Sequence, residues 1–146
     1  MALKLTNPNP VDHEVANPGD PFFPALNLKD FQEIYQVNVD ALVTLERQVL
    51  LSMADCNQAL SDYQADQVAD GVATLPADHA VNYSEAVFAR AFGLLLQIEP
   101  GETLSGRLRD GLDEMNLTPD DYFRRSADRL ARIEGEGGGN LFAAVI

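Results

Sequence analysis

Apolar residues recur every three or four positions through the middle of the chain. Plotted at 100° per residue, Leu42, Leu45, Val49, Met53, Cys56, Leu60 and Tyr63 form one stripe. The period predicts a long helix from about Val39 to Asp70, capped by Asn38 and closed by Gly71. At 1.5 Å per residue it makes a rod of about 45 Å. Asp55, Asp62, Asp66 and Asp70 fall on a separate face, roughly 100° from the stripe. Val72–Val81, which contains Pro76, reads as a loop. Asn82–Ile98 predicts a second helix that is apolar on nearly every side, through Val87, Phe88, Ala91, Phe92, Leu94, Leu95 and Leu96. Such a helix belongs at the centre of the core. Pro100-Gly101 ends it.

Shorter patterns complete the bundle. Asn27 is placed to cap a helix over Leu28–Gln36 whose apolar side is Phe31, Ile34 and Tyr35. Leu104–Met115 suggests a short helix interrupted by Gly106 and Gly111. Thr118-Pro119-Asp120-Asp121 is a helix start: a capping hydroxyl, proline at the first helical position, and acids near the positive end of the dipole. That helix is expected to reach about Glu134 with Phe123, Ala127, Leu130 and Ala131 facing inward. A two-residue period appears only in the last residues. The fold class expected is all-α, a small helical bundle around one long helix.

The two ends differ from this pattern. Five of the eight prolines lie within residues 1–24, so residues 1–26 read as an extended N-terminal arm, with Phe22 and Phe23 as its anchor between Pro21 and Pro24. The helical domain spans 27–134. Gly135, Gly137, Gly138 and Gly139 then form a hinge, since glycine is a poor helix former and accepts positive φ. Leu141, Phe142, Ala143, Ala144, Val145 and Ile146 follow without a charge. Chain ends are usually polar, so this apolar tail is read as an arm that docks on another chain, as strand or as helix, in preference to one packed into its own core.

Charge narrows the function. Ten Lys and Arg against 23 Asp and Glu give a net charge of −13 over 146 residues. A surface so acidic repels phosphate backbones, which weighs against sequence-reading nucleic-acid binding and suits a surface that DNA passes without sticking. Cys56 is the single cysteine, so there is no disulfide framework. The sequence start lacks the basic and apolar blocks of a signal peptide. Ala86–Ile98 contains Arg90 and is shorter than the roughly 20 residues a bilayer span needs. A cytosolic protein, or one assembled there without a membrane partner, is expected.

Candidate chemistry is sparse. His13 and His79 are far apart, and no metal-ligand spacing, phosphate loop or nucleophile motif is present, so no cofactor and no catalytic residue is assigned and the chain reads as a non-enzyme. The glycines of 135–139 follow a helix instead of opening one, the wrong geometry for phosphate. Asp62, Asp66 and Asp70, on one face with Asp55, are spaced so that they could bind a cation, but a row of aspartates at helical spacing reads first as a solvated face. Arg124, Arg125, Arg129 and Arg132 hold four of the ten basic residues within nine positions. They pair locally with Asp120, Asp121 and Asp128, or form a patch that meets the acidic face of an identical neighbour.

Taken in order, several pieces resemble one family. They are Pro21-Phe22-Phe23-Pro24 ahead of a short helix, Ser52-Met53-Ala54-Asp55-Cys56-Asn57 with Leu60 on the long one, the apolar helix 82–98, and Ala131-Arg132-Ile133-Glu134-Gly135 before a short apolar end. From about Pro21 to Ile146 the chain resembles the head completion proteins of contractile-tailed phages, the GpL type. The match is poorest over Glu99–Leu117. The resemblance implies a structural protein of the virion neck, assembled in the host cytoplasm and similar to head–tail connector adaptors. It implies a ring of twelve copies of the chain beneath the portal protein that extends the DNA channel and receives the next neck or tail-completion protein. On that reading the tail grips the portal, and Asp55, Asp62, Asp66, Arg125 and Arg129 face the channel or the neighbouring subunit. The alternative is an acidic helical adaptor or chaperone that masks a bacterial partner protein; it shares the charge and helicity but forms a dimer and needs no docking arm.

Overall fold

The computed structural model describes residues 10–19, 21–35, 37, 42–98, 115 and 117–138. Five helices account for most of them: α1 Leu28–Tyr35, α2 Leu42–Ala59, α3 Ser61–Ala69, α4 Ala77–Ile98 and α5 Pro119–Gly138. The fold is all-α apart from a two-residue ladder, β1 Glu14–Val15 antiparallel to β2 Leu26–Asn27. Of the expected helix over Leu104–Met115 only Met115, an exposed turn residue, is described, and the Asn38 cap and the tail Leu141–Ile146 lie outside the described residues.

Helix α4 is the centre, as its all-round apolarity predicts. Tyr83, Ala86, Val87, Ala91, Phe92 and Leu95 are all at most 1% exposed. It starts at Ala77, five residues earlier than expected, inside the stretch read as loop. Pro76 does not oppose this, because proline is tolerated at a helix start; the His79 amide donates to its carbonyl at 2.9 Å. Asp78 adds an acid to the first turn.

The long rod is two helices. Leu45, Val49, Met53, Cys56 and Leu60 are buried, as the stripe required, with Leu42 and Tyr63 half-buried at its ends. At Leu60, however, the backbone leaves helical values (φ −96°, ψ 11°) and α3 begins. The physical reason is where burial stops: Leu60 is fully buried, while α3 beyond it buries no residue. A short helix with no fully buried residue, held chiefly by half-buried Tyr63, has little to keep it in line with α2.

Helix α5 runs antiparallel along α4. Pro119 and Phe123 lie beside Gly93, and Arg129 reaches Glu85 and Asn82. A Cβ on Gly93 would stand 2.7 Å from Phe123 Cε1, so the glycine is what permits this approach. The start of α5 follows the expected chemistry: the Thr118 amide and hydroxyl both donate to Asp121 Oδ2, at 2.7 and 3.2 Å, and the Asp121 amide donates to the Thr118 carbonyl at 3.0 Å. Its inward face differs from expectation. Tyr122, Ser126, Leu130 and Ile133 are buried, whereas Phe123, Ala127 and Ala131 are half-buried. Polar Ser126 is accepted inside because its hydroxyl donates to the Ala86 carbonyl at 2.7 Å.

The described part of the arm is extended but doubles back across the helices. Phe22 and Phe23 are 1% and 3% exposed, with Phe23 stacked on Tyr83 at 5.3 Å. Asn27 caps α1 by accepting from the Lys29 amide at 2.8 Å, and also from His13 at 3.1 Å. On α1, Ile34 is 56% exposed, contrary to expectation, and Gln32 is buried in its place. Its side-chain amide accepts from Val11 N at 3.1 Å and donates to Val11 O at 3.0 Å, so it pairs with the arm as a backbone would.

Candidate functional site

Three features stand out beyond the core: a staple between arm and helices, an acidic flank, and a groove edged with arginine. The staple is a closed polar triangle. Tyr83 OH donates to Asn57 Oδ1 (2.6 Å), Asn57 Nδ2 donates to Asn17 Oδ1 (2.7 Å), and Asn17 Nδ2 donates to Tyr83 OH (2.8 Å). Asn17 Nδ2 also reaches the Pro24 carbonyl at 3.0 Å. Burial pushes the Tyr83 hydroxyl well above the ordinary phenol range. Arm, α2 and α4 are thereby fixed at one point. Nothing in the spacing of residues 17, 57 and 83 advertised it, because the triangle exists only after packing.

The acidic flank is formed by α2 and α3. Asp55 is engaged within the chain: its Oδ2 accepts from Arg90 Nε at 2.8 Å, and the Arg90 guanidinium sits 5.3 Å from the Phe123 ring centre. Asp62, Asp66 and Asp70 are exposed and, among the described residues, have no ion-pair partner. Glu134 of α5 lies close enough to Asp62 to feel its charge. Burial first, and Asp62 second, raise the Glu134 carboxyl above its usual range. Cys56, behind this flank, is fully buried and its thiol is pushed up to about 12 by desolvation, so it is not a reactive nucleophile.

The groove lies on the other flank, between α1, α4 and α5, and has a volume of about 520 Å³. Its floor is Tyr35, Phe88 and Ala89, and Ile34 stands at its edge. Tyr35 stacks on Phe92 at 4.6 Å and its hydroxyl is raised to about 12 by burial, against the pull of Arg125. Arg125, Arg129 and Arg132 line one wall. Arg129 is neutralised by Glu85 at 2.7 Å and reaches Asn82 Oδ1 at 3.3 Å. The Arg125 guanidinium lies 4.8 Å from the Tyr122 ring centre. Neither Arg125 nor Arg132 is paired with a carboxylate among the described residues. Arg124 lies 3.6 Å from Asp121, a local pair of the kind the sequence suggested. The arginine cluster was legible in the sequence. Its apolar floor was not, because Ile34 reads as core and Phe88 belongs to a helix expected to be covered throughout.

Of the other sequence-predicted residues, Phe22 and Phe23 sit in the core, and Gly135 takes a left-handed conformation (φ 72°, ψ −164°) that ends the regular turns of α5 at Glu134. Gly137 and Gly138 follow this break, and Gly139 lies outside the described residues with Leu141–Ile146. Among the described residues no group of His, Cys, Asp and Glu is arranged to hold a metal, and no helix is long and apolar enough to cross a membrane.

No curated protein and no solved structure matches the chain. A family model does: that of the phage head completion protein (GPL) matches residues 17–140, from the asparagine of the staple to just past the glycine hinge. With most of its length matched, the chain belongs to the phage head completion protein (GPL) family, whose role is structural head completion in the virion.

Proposed function

We propose that the protein is a connector of the virion neck. Twelve copies form a ring beneath the portal protein, extend the DNA channel, and present a platform to the next neck or tail-completion protein. The family match over residues 17–140 carries this reading. The net charge of −13 supports it, since a wall that repels phosphate lets packaged DNA pass without sequence recognition or adhesion. Assembly takes place in the host cytoplasm, on heads already filled.

In this reading Leu141–Ile146 dock on the portal through the hinge that starts at Gly135. Burying Leu141, Phe142, Val145 and Ile146 yields roughly 6–12 kcal/mol at about 1.5–3 kcal/mol each. Ordering the six residues costs a similar amount, about 6–12 kcal/mol in backbone entropy. One tail alone therefore binds weakly, and a ring of tails on a ring of sites holds by avidity. Of the five charged residues expected to face the channel or a neighbour, Asp55 and Arg129 are engaged within their own chain, which leaves Asp62, Asp66 and Arg125 for that role.

The test is complementation of heads made without the protein. Wild-type protein should bind portal-bearing heads and stop DNA leakage. A chain with Phe142→Asp and Ile146→Asp should remain helical and soluble, fail to bind heads, and leave them leaking. Normal sealing by this variant refutes the role of the tail, and unfolding of the variant places the tail in its own core.

A further inference from the structure

Helix α3 is anomalous in a bundle this small. It buries no residue, yet it carries Asp62 and Asp66 on one face, with Asp70 just past its end. At 100° per residue Ala69 lies about 20° and Ala65 about 60° from Asp62, on the side away from Asp66, so the two alanines flank the acids, and all five are exposed. No lysine or arginine occurs anywhere from Gln48 to Ala89, so nothing basic on α3 or its flanking segments neutralises the ridge. The ridge is acidic, shallow and small-residue, a shape that lets another surface approach its backbone closely.

The groove on the far flank has the complementary character. Arg125, Arg129 and Arg132 lie within about 60° on α5, beside Ile34, which leaves 56% of its surface exposed. The spacings agree: Arg125 to Arg132 is about 10.5 Å along a helix axis, and Asp62 to Asp70 about 12 Å, at 1.5 Å per residue. The helices that lead to them, α2 before α3 and α1 at the groove, pack on different faces of the α4–α5 pair. Helix α2 approaches α4 through Asp55 and Arg90, whereas α1 approaches through Tyr35 against Phe92 and Tyr122.

Resting on the connector reading above, we infer that the α3 ridge of one copy seats in the groove of the next. The ridge acids meet Arg125 and Arg132, and Ala65 and Ala69 lie against Ile34. Two different faces meet, so the contact is heterologous: each copy offers a ridge to one neighbour and a groove to the other, as a ring requires. In a chain of charge −13 identical copies repel one another over most of their surface. A single complementary pair of faces therefore selects one orientation of approach. The exposure of the α3 ridge is explained at the same time: Tyr63 faces its own core, and the ridge packs on another molecule.

The experiment uses full-length single-cysteine additions on assembled heads, Asp66→Cys and Arg132→Cys, with a short cysteine-to-cysteine cross-linker. The native Cys56 is buried and stays silent. Protein carrying either addition alone should give no linked dimer, a mixture of the two should give dimers, and a chain with both should give a ladder. In parallel, Arg125→Glu with Arg132→Glu, or Asp62→Lys with Asp66→Lys, should each weaken ring assembly on the order of tenfold, as expected for turning exposed attractions into repulsions. A chain carrying all four changes should recover. If a ring is present on heads but the mixture gives no dimer, or one variant links to itself, the pairing is wrong and the connector reading stands. If the heads carry no more than one copy, both fall.

Discussion

Replacing Asn57 with alanine should be among the most damaging single changes outside the apolar core. It deletes the acceptor of a 2.6 Å bond from Tyr83 and the donor of a 2.7 Å bond to Asn17. Two such bonds contribute about 0.5–1.5 kcal/mol each in net terms. The larger effect is what remains: Tyr83 is 0% exposed, so its hydroxyl proton is left without an acceptor, at about 1–3 kcal/mol. Asn17 suffers less, since its Oδ1 still accepts from the Gly19 amide at 3.3 Å. The total expected for Asn57→Ala is about 2–6 kcal/mol. Tyr83→Phe should cost only about 1 kcal/mol, because the groups it strands belong to half-buried asparagines that can turn to water. The double variant should fall short of the sum. Urea unfolding followed by far-UV circular dichroism measures all three, with a lower midpoint and an unchanged slope. An Asn57→Ala midpoint within about 0.5 kcal/mol of wild type, or Tyr83→Phe as harmful as Asn57→Ala, refutes the triangle as the point that ties the arm to α2 and α4.

Gly93→Ala should destabilise by about 1–3 kcal/mol through overpacking against Phe123 and the Pro119 carbonyl, outweighing the roughly 1 kcal/mol that alanine gains in helix propensity. Thermal melts of this variant with and without Phe123→Leu check it, since the smaller partner should relieve the loss. Stability should also fall in alkali. The Cys56 thiol and the Tyr35 phenol rise from 9.0 and 10.0 to about 12, so the folded state holds these protons more tightly than the unfolded chain does. Their contribution is complete below about pH 9 and is lost as the pH climbs towards 12, with phenolate absorbance appearing together with unfolding. A urea midpoint unchanged between pH 8 and pH 11 contradicts this.

Periodicity carried the fold as far as burial alone decides it. The stripe from Leu45 to Leu60 and the all-apolar helix around Phe88 and Phe92 were legible because each buried position follows from helix geometry. The cap at Asn27, the box of Thr118 and Asp121, and the stop at Gly135 were legible because their chemistry is local. The failures share a different cause. Leu60 breaks the rod because the core ends there, which the unbroken period through Tyr63 conceals. The inward face of α5 keeps Leu130 as expected but otherwise turns to Tyr122, Ser126 and Ile133, because Ser126 finds the Ala86 carbonyl and Gly93 lets Phe123 sit at the edge. Ile34 looked like core because a 3.6 period cannot say where a bundle leaves a gap. The arginine cluster was visible as composition. That Arg129 is engaged with Glu85, while Arg125 and Arg132 have no carboxylate partner among the described residues, depends on distances no sequence carries.

Cryo-electron microscopy of the neck of intact virions would reveal the connector itself. A ring of copies of this chain is expected directly beneath the portal, with its helical bundle around the DNA channel and Leu141–Ile146 of each copy seated on the portal. Virions that carry tails and retain their DNA with no density for this chain between portal and tail contradict the connector reading.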